Sequence, residues 1–511
     1  MSHTWNQDRA LKYIESQITA LETVEVKDYV RDMSLENIKI NSAYRVDGVH
    51  MYADIQNFED ILRSSDIEGE MSHKRALRFL DLHYRAVTQI LDSVEAVRVD
   101  FHGQRLHALV AKPYNSETDA EKKRIQRAIA IASLIIDVLE ETGDFDENID
   151  NAKLRIGIDS GLSLAVNNGR KGNKEPLFLG NPANYAAKLA SNNSAQGIYL
   201  TNNARKALGL IEVDKPETTR LTKTEIDDCI NSVELGVTVE EIVNKWKEKK
   251  DKYRLADYSF SRQSPPLKNL PIDELTPLNT KHQEMISSYA DIDGFTAYVS
   301  NNIQNNAEDV IRTLHVLRSE LERVVTVEFS GRRVRFIGDC IHALSYEGTT
   351  QTLDEESSIS YAVLMAGALR SSFQLGIKKL IEAGYKTGIL GLSIGFDLGP
   401  ISVSRLGMQG RRIRCAIGRK VLESEKMQCK CSGTETSIGL TAFERASEAV
   451  RELFGSKRKI ADLTYNEAVE ALIEYGDKTV NSVRLASFTD DRVTQASLRS
   501  VKPHLDLIER R

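Results

Sequence analysis

Two aspartates in the second half of the chain have the type and setting that hold a divalent cation. Asp291 closes the apolar stretch of YADIDGFT (289–296) ahead of a glycine-containing turn, and Asp339 stands at the tip of VRFIGDCIHAL (334–344), where Gly338 permits a tight bend. Carboxylates on neighbouring strand ends suit a hard cation whose shell is completed by substrate phosphates and water. The turn after Asp291 can also present backbone N–H groups to a phosphate. Ile292 is counted with the two aspartates in the metal set. An aspartate in such a turn commonly serves only the local backbone, so the pair gains its meaning from what surrounds it.

What surrounds it is a repeat. YADIQNF (52–58) recurs as YADIDGF (289–295) with five of seven positions identical. In the same order FHGQRLHAL (101–109) matches FIGDCIHAL (336–344), IGIDSG (156–161) matches IGFDLG (394–399), and Gly157–Gly180 and Gly395–Gly418 are both 23 positions apart. The first two blocks read as strands, and the stretches between and after them carry helical periodicity, as in HKRALRFLDLHYRAVTQILDSV and EDVIRTLHVLRSELERVV. Strands alternating with helices around a central hairpin predict an α+β fold, an α/β sandwich in which helices cover a mixed sheet.

At 511 residues the chain exceeds one ordinary core. The expected division is an N-terminal helical extension (1–45), a first domain (46–210), a linker (211–280) ending in a proline-rich run, a second domain (281–445) and a C-terminal extension (446–511). A net charge of −6 gives no basic surplus for a nucleic-acid backbone. Five cysteines without framework spacing read as reduced thiols. No apolar run approaches the ~20 residues that span a bilayer, and no leader is evident, so a cytoplasmic protein with neither nucleic acid nor membrane as partner is expected.

The joint pattern Asp-Ile-x-Gly-Phe-Thr, x-x-Gly-Asp and Ile-Gly-x-x-x-Gly resembles the class III adenylate and guanylate cyclases, over about 45–205 and 282–430. The resemblance implies two ferredoxin-like domains that pair head to tail, here as a pseudo-dimer within one chain. In that family one partner supplies the metal aspartates, two divalent ions (Mn²⁺ or Mg²⁺) occupy the site, and the other partner supplies base-reading residues, an Asn and an Arg. By register Asn184 takes the place of the family's Asn, and Lys188, one helical turn on, that of its Arg. The first half has Asp54 but Gln104 at the second metal position; the second half has Leu422 and Lys426 opposite Asn184 and Lys188. One composite site is therefore complete, and its mirror image is expected to be silent.

The family's adenine-reading Lys and Asp are replaced at the complete site by Asp100 and Leu177, with Tyr52 also assigned to the base. An ionised Asp100 accepts hydrogen bonds and does not donate, which favours cytosine, guanine or uracil edges bearing N–H groups. Tyr52, Tyr289 and Arg335 resemble their counterparts in the pyrimidine cyclases of Pycsar antiphage systems, although head-to-tail geometry puts Arg335 beside the silent site. The resemblance implies cyclisation of CTP, slightly ahead of UTP, to a messenger that activates a separate effector. A purine cyclase and an inactive nucleotide-binding regulator are the alternatives; association into a homodimer stays open. The basic run SRLGMQGRRIR (404–414) reads as a solvated hairpin tip or as a counter-charge for pyrophosphate.

Overall fold

The computed structural model describes residues 3–63, 69–143, 149–168, 176–191, 195–250 and 254–480. Each repeat builds the same unit. In the first, β2 (Ser42–Ile55) leads through α2 (Phe58–Arg63) and α3 (Glu70–Ser93) to the hairpin β3 (Val97–His102) and β4 (Arg105–Val110), then through α4 (Ala120–Leu139) to β5 (Leu154–Val166). The strand order is β3-β4-β2-β5-β6, with β6 (Leu177–Leu179) antiparallel to β5. This is the ferredoxin-like βαββαβ order, as expected. Helix α5 (Asn181–Ala190) and strand β7 (Gly197–Leu200) complete the half.

The second half repeats it. Strand β9 (Thr280–Asp293) runs through α8 (Phe295–Asn302) and α9 (Ala307–Arg323) to the hairpin β10 (Arg332–Ile337) and β11 (Cys340–Ser345), then through α10 (Glu355–Glu382) to β12 (Gly391–Leu406), β13 (Ile413–Ile417) and α11 (Arg419–Gln428). Its sheet runs β10-β11-β9-β12-β14-β15, the last two strands being Glu435–Ile438 and Lys459–Ala461.

The two units are interleaved. Leu164, Val166 and Leu179 of the β5–β6 hairpin belong to the core beneath the second half's helices. Leu406, Ile413, Cys415 and Ile417 of the β12–β13 hairpin belong reciprocally to the core of the first half. Exchange of these apolar hairpins fixes the head-to-tail arrangement, because sliding the halves would return those side chains to water.

The basic run at 404–414 is neither a free tip nor a lining of the nucleotide-sized cavity described below. Arg411 pairs with Asp92, and the Arg414 guanidinium grips both carboxylate oxygens of Asp273 at 2.8 and 2.6 Å. Gly407 N–H donates to Asp81 at 2.8 Å. The Arg411 and Gly407 bonds clasp the halves together, whereas the Arg414–Asp273 fork ties β13 to the segment ahead of β9; sequence spacing reveals neither.

Strand β2 opens at Ser42, so residue 46 falls inside a strand, and β9 opens at Thr280. The N-terminal extension holds a helix (Gln7–Ala20) whose Arg9 pairs with Glu328 at 2.8 Å, followed by strand Glu25–Asp28 parallel to β2. Between the halves lie helices α6 (Lys223–Asn231) and α7 (Val239–Lys250); Cys229, Ile242, Val243 and Trp246 are buried in the first half's core, and Trp246 Nε1 donates to Leu82 O at 3.1 Å. The charged composition of 211–250 hides this apolar face. Residues 481–511 of the C-terminal extension lie outside the described residues. All five cysteines are free, and among the described residues no helix is long and apolar enough to cross a membrane.

Candidate active site

A cavity of about 650 Å³ opens between the halves and is lined by Tyr52, Asp100, Leu177, Asn184, Lys188, Asp291, Ile292 and Asp339. These are all the residues assigned from sequence to metal, base and transition state, and they come from both halves.

On the second half's side, β9 delivers Asp291 and Ile292, and the β10–β11 turn delivers Asp339, with Gly338 at φ +62°. Burial, followed by the charge of Asp293, pushes the Asp291 carboxyl up to about 6. Burial, followed by the charge of Asp291, holds Asp339 well above the usual carboxylate range, opposed in part by the Arg318 guanidinium. Two buried carboxylates that resist ionising together are the donor set a divalent cation relieves. Of Ile292 only the backbone carbonyl is a donor. Among the described residues no three His, Cys, Asp or Glu side chains converge as a cage, so a cation fits here with substrate phosphates and water in its shell. Asp293 is committed elsewhere, accepting from Gly433 N–H at 3.0 Å.

On the first half's side, α5 delivers Asn184 and Lys188. This helix lies tightly on β5, since a Cβ on Gly157 would stand 2.2 Å from Ala186 O; Gly395 makes the equivalent approach, 2.4 Å from Gln428 N. That contact explains the matched Ile-Gly blocks. Asn184 Nδ2 donates to Thr296 Oγ1 of α8 at 2.6 Å, across the interface. Lys188 is exposed, its ammonium 5.7 Å from the Tyr185 ring centre.

On the cavity wall, half-buried Tyr52 stacks on His107 with ring centres 4.0 Å apart, and His107 Nε2 meets His50 Nδ1 at 2.9 Å. Tyr289 stacks on His342 at 4.2 Å, the pseudo-symmetric counterpart. Arg335 is 1% exposed and does not stay on the mirror side: its guanidinium pairs with Asp100 and donates to Phe101 O at 2.5 Å. Arg335 thus stands behind Asp100, which lines the cavity, and does not itself line it.

Near Asp54 and Leu422 several polar groups are already paired within the protein. Gln56 Nε2 donates to Asp54 Oδ2 at 3.0 Å, Arg105 pairs with buried Glu425 at 2.6 Å, and Lys426 pairs with Glu59 at 2.7 Å. The space beside Leu422 is about 190 Å³. Arg105 aligns with Cys340 and Glu425 with Ala187, so the repeat does not duplicate this ion pair, which stands on the wall of the large cavity.

Sequence reasoning missed Thr296, Arg318, Arg105 and Glu425, all of which line the large cavity. Thr296 lies inside the Asp-Ile-Asp-Gly-Phe-Thr motif, but spacing does not say what it meets. Arg318 sits on an amphipathic helix, its guanidinium 3.8 Å from the Phe336 ring centre and its Nη2 donating to Asn168 O at 2.8 Å.

The ferredoxin-like pair, with its carboxylates on one half and Asn and Lys on the other, has the architecture of class III cyclases. Residues 43–228 match the adenylate and guanylate cyclase catalytic domain. The chain is 61% identical over 505 residues to a uridylate cyclase of Pseudomonas aeruginosa, covering 99% of this chain and 98% of that protein. It is 35% identical over 461 residues to a uridylate cyclase of a Rhizobium species, covering 87% of each. A class III adenylyl cyclase-like ATP-binding protein from Pseudomonas aeruginosa, known from its crystal structure, superposes with a TM-score of 0.91 at 63% identity, covering 92% of this chain and 100% of that one. The chain belongs to the class III nucleotidyl cyclase family. Members of that class generally use divalent metal ions.

Proposed function

We propose that this chain is a pyrimidine nucleotide cyclase that converts UTP to 3′,5′-cyclic UMP and pyrophosphate at one composite site. The main support is the meeting in one cavity of Asp291 and Asp339 from the second half with Asn184 and Lys188 from the first. The two uridylate cyclases that align along most of the chain move the base from the cytidine favoured by sequence alone to uridine.

Asp291, the Ile292 carbonyl and Asp339 would hold two divalent ions, Mn²⁺ or Mg²⁺. When bound, such ions polarise the triphosphate and lower the pKa of the ribose 3′-hydroxyl. Asn184 orients the ribose so that the 3′-oxygen lies in line with the α-phosphorus and the leaving pyrophosphate. Lys188 supplies positive charge to the α-phosphoryl oxygens as charge accumulates there. Its ammonium lacks the bidentate fork of an arginine but keeps the charge.

Asp100, Leu177 and Tyr52 bound the base. Arg335 pairs with Asp100 and holds its carboxylate at the cavity wall as an acceptor. An anionic acceptor matches the N3–H of uracil and opposes the N3 lone pair of cytosine. The mirror site, with Gln104 and Leu422, is catalytically silent. The setting we propose is antiphage signalling through a separate effector; its support is the Pycsar resemblance.

The test is to offer UTP, CTP, ATP and GTP separately with Mn²⁺ or Mg²⁺ and to identify the products by chromatography and mass. Cyclic UMP as the main product is expected. Cyclic AMP as the main product would instead favour a purine cyclase, a reading to which the ATP-binding relative lends support.

A further inference from the structure

We infer that Thr296 is a positioning residue for this reaction, acting through Asn184 across the interface between the halves. The inference rests on the role given to Asn184 above. Thr296 is the second residue of α8, immediately after the turn that follows Asp291 and Asp293. That turn is fixed: Gly294 has φ +80°, and a Cβ there would stand 2.8 Å from Ile389 O. The Thr296 hydroxyl is therefore tied to the same backbone as Asp291.

Asn184 comes from the other half, and the torsion that turns its carboxamide is broad and roughly two-fold. The bond from Asn184 Nδ2 to Thr296 Oγ1, at 2.6 Å, selects one orientation and leaves the second amide hydrogen and Oδ1 for the substrate. It also sets the distance between Asn184 and the metal aspartates, since one end of the bond moves with each half. Both residues line the cavity, so the bond lies where the ribose and phosphates must pass between the halves.

Thr296→Val keeps the shape and backbone while removing the hydroxyl; Thr296→Ser keeps the hydroxyl. A neutral hydrogen bond is worth about 1 kcal/mol, close to a fivefold rate change. Thr296→Val is expected to lower kcat on UTP about 5- to 10-fold with KM changed less than about threefold, and Thr296→Ser to restore kcat to within about twofold. In the Asn184→Ala background, Thr296→Val should cost little more, because its effect passes through the missing amide.

Wild-type kcat in Thr296→Val, with Asn184→Ala impaired, overturns this inference and leaves the role of Asn184 standing. Equal losses in the Val and Ser variants, adding to that of Asn184→Ala, also overturn it. Full activity in Asn184→Ala overturns the role of Asn184 and this inference with it.

Discussion

Arg335 and Asp100 occupy equivalent positions in the two repeats, each four residues before the second metal position, and they form an ion pair across the interface between the halves. Duplication of one ancestral position into opposite charges gives the pair a direction. Asp100 faces the large cavity, and Arg335 backs it from a site that is 1% exposed.

Base choice should depend on this pair. Asp100→Asn replaces a pure acceptor by a group that donates and accepts, so discrimination between uracil and cytosine is expected to weaken. We predict that kcat/KM for UTP falls about tenfold while the UTP to CTP ratio moves towards unity, as losing one charge-assisted bond implies. Competition assays with both triphosphates check this.

Asp339→Asn should separate stability from activity. Removing one of two mutually repelling buried carboxyls relieves the charge cost in metal-free protein, while the metal set loses an anionic ligand. Thermal unfolding in chelator is expected to shift upward, and cyclase activity to fall by at least about a hundredfold. A lower melting temperature together with retained activity would speak against the metal assignment.

The pH dependence has a definite sign. Asp291 has its folded pKa raised to about 6, against an ordinary value of 3.8. Between these values the folded state binds more protons than the unfolded one, so metal-free stability declines as pH rises through this window. Cation binding needs the ionised forms and should strengthen over the same range. Calorimetric Mn²⁺ titration at several pH values checks the second trend, and denaturant unfolding in chelator, comparing wild type with Asp291→Asn, checks the first.

Binding should be asymmetric. Because the mirror position has Gln104 where a metal carboxylate is needed and Leu422 where the Asn would stand, a non-cyclisable UTP analogue with Mn²⁺ is predicted to bind once per chain. Calorimetry reads that stoichiometry directly.

Much of this site was legible because its ingredients are local. Asp291 and Asp339 sit at strand ends that alternation and glycine mark, and the 23-residue spacing in both repeats carries Asn184 and Leu422 into register. The ferredoxin-like order is what the resemblance of these blocks to class III cyclases implies. What was hidden depends on long side chains and tertiary contacts. Arg335 crosses the interface, Thr296 meets Asn184 from the other half, and Arg411 reaches Asp92 of the first half. Trp246 lies within the lysine-rich run KWKEKK, yet it fills the first half's core, because the one apolar face of that helix is narrow.

The central claim is that one site is divided between the halves while its mirror image is inert, and four single variants assayed on UTP test it most directly. Asp339→Asn and Asn184→Ala are predicted to reduce turnover by about a hundredfold or more, whereas the mirror variants Asp54→Asn and Leu422→Ala keep it within about threefold of wild type. Loss of activity in the mirror pair, with retention in the first pair, would contradict the account.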